Sequence, residues 1–261
     1  VFQQTGTGVL YPVYYYNCTF GGNITTSVGG NPALQFGAAG NGSSSVIGAS
    51  AAGFTIINGS GTQVINCDAG KIPTIPFLAK NSTGIFQLGT NVTNLPVTLN
   101  LTMIAGNIDL NGKTLTLGTA VGSIGALNYT AGWMYGGNFK RWFNTSTIAI
   151  GAATGQFPMG SSSEYCPFFV GYASSPSSGG TINLNFTAIP NTYTNLTPVI
   201  NDGSWGADIL RVSNSYWVPT IANGFSPAAN SLTVKYGGGS GTFFVNDVND
   251  PIMIGLAKIV R

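Results

Sequence analysis

The chain has 261 residues, with nine Lys and Arg against seven Asp and Glu, no His, and a formal net charge of +2. Only 6% of residues are charged, far below the roughly 25% of an ordinary soluble domain, yet 43% are hydrophobic and 11% aromatic, which argues against disorder. Charge this thin leaves no electrostatic footprint for nucleic acid or an anionic membrane surface, and no run of about 18 apolar residues is present to cross a bilayer as a helix.

The first residues, VFQQTGTG, have neither a basic start nor an apolar signal core and read as a mature N-terminus already trimmed on export. Within 1–20, the run Val9, Leu10, Tyr11, Pro12, Val13, Tyr14, Tyr15 and Tyr16 favours an extended strand, and Pro12 suits an edge because it lacks an amide donor. Two readings follow. Either the segment pairs inside its own domain, or it is lent to a neighbouring copy and completes that copy's sheet.

From 21 to 125 come short apolar pieces such as ALQFG, GFTIING, TQVINC, GIFQLG and VTLNLTMIAG, separated by Gly, Asn and Ser. Regular short strands with turn residues between them predict a β-rich N-terminal domain, a sandwich or an irregular β-helix whose stacked rungs bury one apolar stripe. In NIDLNGKTLTLG, alternation on either side of Asn111-Gly112 predicts two half-buried strands joined by a tight turn. GGNFKRWF then sets Phe139, Trp142 and Phe143, as packing anchors, around Lys140-Arg141, in which Lys140 reads as a surface or capping cation.

From 126 to 261 the texture predicts an antiparallel β-sandwich. Ile182, Leu184 and Phe186 alternate with Thr181, Asn183 and Asn185, the pattern of a sheet with one wet face. The predicted fold class is therefore all-β throughout.

Chemistry-bearing residues are sparse. Three cysteines allow a Cys18–Cys67 bridge with Cys166 left over, or three separate buried thiols. Without His, and without ligand spacing among the cysteines, no zinc site and no cofactor is expected. Asp247, Asn249 and Asp250 place oxygen ligands close together, but they lack the ligand series of a calcium loop and read first as a turn. The serines of SSSEYC have no activating base, and the nearest approach to a glycosidase pair is Glu164 with Asp202 or Asp208. Trp133, Trp142, Trp205 and Trp217 are either core residues or a platform on which sugars stack. Sequons occur at Asn17, Asn23, Asn41, Asn58, Asn81, Asn91, Asn100, Asn128, Asn144, Asn185 and Asn195, by compositional chance or as glycan sites of an exported protein.

The blocks GNIDLNGKTLTLG, YTAGWMYGGNFKRWF, IGAATGQFPMGSSSEYCPFF and GGTINLNFTAIPNTYT, in this order, resemble a module repeated in large secreted surface and adhesin-like proteins of Bacteroidota, the phylum with type IX secretion. The likeness covers about 83–245. Cys166 departs from it, since members commonly carry Arg there, and no sorting domain of that kind is recognisable up to Arg261. The resemblance implies export, all-β architecture and a structural or adhesive role. With the composition, it leads to the expectation of a non-enzymatic extracellular protein at the cell surface. It would be a filament or layer subunit or an adhesin module, with copies of itself as partners. The alternative is a module that binds surface polysaccharide.

Overall fold

The computed structural model describes residues 2–4, 13–16, 24–26, 33–37, 55–57, 61–67, 72, 74–189, 193–202, 207–227 and 232–236. Among these the chain is all-β, and the exception is one 3-10 turn at Ala153–Gly155.

The first twelve strands are β1 (Phe2–Gln4), β2 (Val13–Tyr16), β3 (Ile24–Thr26), β4 (Ala33–Gly37), β5 (Thr55–Ile57), β6 (Thr62–Cys67), β7 (Ile75–Leu88), β8 (Asn94–Asp109), β9 (Thr114–Leu117), β10 (Ala126–Tyr129), β11 (Met134–Tyr135) and β12 (Asn138–Phe143). Every pairing among them is parallel. One file of neighbours runs β1, β3, β5, the first half of β7, the middle of β8 and β10. A second runs β2, β4, β6, the second half of β7, the end of β8 and β11. A third joins the start of β8 to β9 and β12. The chain thus winds as a three-faced β-solenoid. Phe77 lies opposite Asn100 and Asn100 opposite Ala126, so these turns take 23 and 26 residues.

Alternation explains the winding, because inward residues of successive turns stack. Leu78, Leu101 and Leu127 form one interior stack, Phe86, Ile108 and Met134 a second, and Leu95, Leu115 and Phe139 a third. All of them are buried, and each is worth about 1.5–3 kcal/mol relative to exposure. The Asn111-Gly112 prediction holds for the turn and fails for the pairing. Both residues have positive φ, 49° and 75°, which only a tight left-handed turn uses. The flanking strands do not pair as a hairpin, however. The turn is a corner of the coil, and β9 pairs in parallel with the opposite end of β8.

β12 is the pivot of the molecule. One edge accepts β9 in parallel, and the other accepts β15 (Gly180–Thr187) antiparallel. Between them lie β13 (Gln156–Phe157) and β14 (Phe168–Tyr172). Farther on come β16 (Tyr193–Asp202), β17 (Ala207–Ser213), β18 (Tyr216–Ala222) and β19 (Leu232–Tyr236). β12, β15 and β18 continue the third face of the coil as an antiparallel sheet; β13, β14 and β19 form a second sheet, and β16–β17 a separate hairpin. Rings bridge the first two. Phe157 meets Phe139, Phe143 and Phe168 at centroid distances of 5.6, 6.1 and 6.4 Å, and Trp217 meets Phe168 and Phe186 at 6.2 and 5.4 Å. The antiparallel, sandwich-like part is thus joined to the solenoid through a shared strand. Coil pairing runs past residue 125, through β10 and β11 into β12.

Candidate functional site

The third face has an outer side that alternation points away from the core, on which Thr116 and Thr181 are buried and their neighbours on β12 half-buried. In β12, Phe139, Arg141 and Phe143 are buried while Asn138, Lys140 and Trp142 point the other way, half-buried. Register sets Asn138 beside Thr114 and Asn185, Lys140 beside Thr116 and Asn183, and Trp142 beside Thr181. Across β18 the same rows end on Val218, Thr220 and Ala222. The surface is therefore a lattice of amides and hydroxyls, partly knitted together. Thr116 donates to Asn94 Oδ1 at 2.7 Å, Asn183 Nδ2 to Asn138 Oδ1 at 3.3 Å, and Asn223 Nδ2 to Thr181 Oγ1 at 2.9 Å.

Trp142 stands apart from the other tryptophans. Trp217 sits between Phe168 and Phe186 and donates Nε1–H to the Cys166 carbonyl at 3.0 Å. Trp133 packs on Tyr165 and donates to the Ser161 carbonyl at 2.6 Å. Among the described residues the Trp142 indole makes no ring contact and no side-chain hydrogen bond. Trp205 lies outside the described residues. The three described tryptophans thus sit in three different settings, and Trp142 is half-buried on the side of β12 opposite Phe139 and Phe143. Its parity on β12 turns it outward. Tyr216, 50% exposed, lies opposite Thr187, six residues along β15 from the partner of Trp142, about 20 Å at 3.4 Å per residue. A hydrogen-bonding face that carries one cation, Lys140, with an outward indole and a distant phenol can hold an extended polar chain.

The other expected sites divide by position. Val9, Leu10 and Tyr11 lie outside the described residues, and Val13, Tyr14, Tyr15 and Tyr16 form β2, which pairs with β4 of the same chain. Cys18 is outside, Cys67 ends β6, and Cys166 is buried. Asp247, Asn249 and Asp250 are outside, and among the described residues no three His, Cys, Asp or Glu converge as metal ligands. Glu164 is buried in a loop whose backbone is bound by Ser161 Oγ, while Asp202 and Asp208 belong to the separate β16–β17 hairpin. Of the sequons, Asn17, Asn23, Asn41 and Asn58 are outside, Asn81, Asn128 and Asn195 are exposed, and Asn91, Asn100, Asn144 and Asn185 are partly covered. Asn185 Nδ2, the atom a glycan would occupy, already donates to the Gly137 carbonyl at 2.8 Å.

Two buried cations were not foreseen. Lys80 is fully buried at the bend of β7, its ammonium donating to the Ser82 carbonyl and, at 3.1 Å, to Ser82 Oγ. Burial pulls its pKa down to about 8. Arg141 occupies the interior stack after Val97 and Leu117. Burial lowers its pKa to about 10, with Tyr172 acting in the opposite sense. Parity was the available signal, since Lys80 falls in phase with Leu78, and Arg141 with Phe139 and Phe143.

No family model, curated protein or solved structure matches the chain.

Proposed function

We propose that this chain is a non-enzymatic structural protein of a cell exterior, a subunit of a surface filament or layer or a module of an adhesin, with copies of itself as partners. The observation that carries the reading is the solenoid whose third face passes through β12 into the antiparallel sheet. A stacked coil extends in one dimension, and each turn supports only its neighbours, which suits a spacer or fibre more than a cleft. The low charge supports the same reading, because neutral surfaces associate without strong repulsion. β18 pairs on one side, with β15, among the described residues, and its other edge offers backbone groups for strand addition, interrupted at Pro219. The resemblance to secreted Bacteroidota modules points to an extracellular location. Sedimentation equilibrium across a wide concentration range tests the assembly. Reversible association is expected, weakened when residues 1–16 are removed, and an unchanging monomer with and without them rejects it.

A second reading, a binding module for surface polysaccharide, is favoured by Trp142 on its amide lattice. Stacking on an indole with hydrogen bonds to flanking amides is the general chemistry of neutral sugar recognition. Binding on a glycan array that vanishes with Trp142→Ala supports this reading, and an array with no binding removes it.

A further inference from the structure

Arg141 is 4% exposed and Tyr172 1% exposed, at the junction where the coil meets the second sheet. The Arg141 guanidinium lies over Phe143 and Phe157, 5.5 and 5.7 Å from the ring centroids. Nη1 donates to the carbonyls of Gln156 and, at 3.4 Å, Ala153. Those contacts leave two groups unanswered, because Arg141 Nε and Tyr172 Oη are both buried without a hydrogen-bond partner. Among the described residues no carboxylate forms a salt bridge with Arg141. Ring faces and carbonyl dipoles offset part of a buried charge, but an unpaired ion in a dry interior is among the most destabilising features a fold can carry.

Both unanswered groups can donate, Nε–H by necessity and the phenol O–H by rotation. The missing partner is therefore an acceptor, and a neutral one leaves the positive charge standing. Water would satisfy the hydrogens alone. An anion satisfies the hydrogens and the charge together. The setting limits its size and valence: there is one guanidinium, Phe143 and Phe157 lie against it, and Phe225 packs on Phe143 and on the Tyr172 ring.

We propose that Arg141 and Tyr172 hold a small monovalent inorganic anion of halide type between Nε and Oη, an internal counterion that locks the solenoid to the antiparallel sheets. Such a ligand binds the native state and not the unfolded chain, so it raises the unfolding midpoint by mass action.

The test uses the intact chain, with sodium chloride or bromide exchanged for sodium gluconate at constant ionic strength. The midpoint of the native protein is expected to climb with halide concentration and saturate. Arg141→Met, which keeps the volume and removes the charge, is expected to abolish the climb. Tyr172→Phe, which deletes one oxygen, is expected to move the half-saturating concentration up about tenfold. Bromide crystals are expected to show an anomalous peak between the two side chains. A native midpoint indifferent to halide, an unchanged response in Tyr172→Phe, or water alone at the position overturns the proposal. Tyr172→Phe keeps the test decisive should Arg141→Met not fold.

Discussion

Lys80 provides a quantitative check on the solenoid interior. Its ammonium is enclosed at the bend of β7, in phase with Leu78 and held, among the described residues, by Ser82. The pKa falls from 10.5 to about 8 because burial penalises the charged form. Between those two values the unfolded chain binds more protons than the native one, so stability rises with pH across that window and is flat below it. At about 1.36 kcal/mol per pH unit, the full penalty at neutral pH is roughly 3 kcal/mol. Raising the pH from 7 to 9.5 relieves about 2 kcal/mol of it. Urea titrations at both pH values should show this gain in the native protein. Lys80→Met fills the same space without the charge and should lose the gain, while being more stable than the native protein at pH 7. Other groups titrate in both proteins, so the difference between their curves isolates Lys80. An equal rise in Lys80→Met, or a flat native curve, would refute the placement of this side chain inside the coil.

Three further substitutions probe separate levels of the structure. Gly106 has φ of +71°, and a Cβ there would overlap the Ser82 carbonyl oxygen and crowd Lys80 Nζ; Gly106→Ala should destabilise by more than about 3 kcal/mol in denaturant titration. Phe157 joins the rings of Phe139, Phe143 and Phe168 beneath Arg141, so Phe157→Ala should lower stability by about 3–5 kcal/mol. Trp142→Ala removes no ring contact and no side-chain hydrogen bond among the described residues. Its unfolding midpoint should stay close to native while any polysaccharide binding disappears, and a large stability loss would show that the indole is a packing residue after all.

The fold was legible where alternation speaks directly. Ile182, Leu184 and Phe186 against Asn183 and Asn185 announced a half-wet antiparallel strand, and Asn111-Gly112 announced a tight turn. Pairing was harder to read, because a short alternating strand looks the same whether its partner lies across a hairpin or one turn of coil away. The regular coil was obscured by β7 and β8, which bend within single strands. Of the candidate site, Trp142 was visible but ranked equal with three other tryptophans. Only the register that places it beside Thr181 and two residues from Lys140 separates it from Trp133 and Trp217. Arg141 was masked by Lys140, since adjacent cations suggest a surface and only their opposite parity sends one of them inside.

Negative-stain electron microscopy of the purified protein at high concentration tests the structural reading most directly. Ordered polymers with a constant axial repeat, shortened or lost when residues 1–16 are removed, are the predicted result. A field of separate particles at every concentration, with or without that segment, would contradict it.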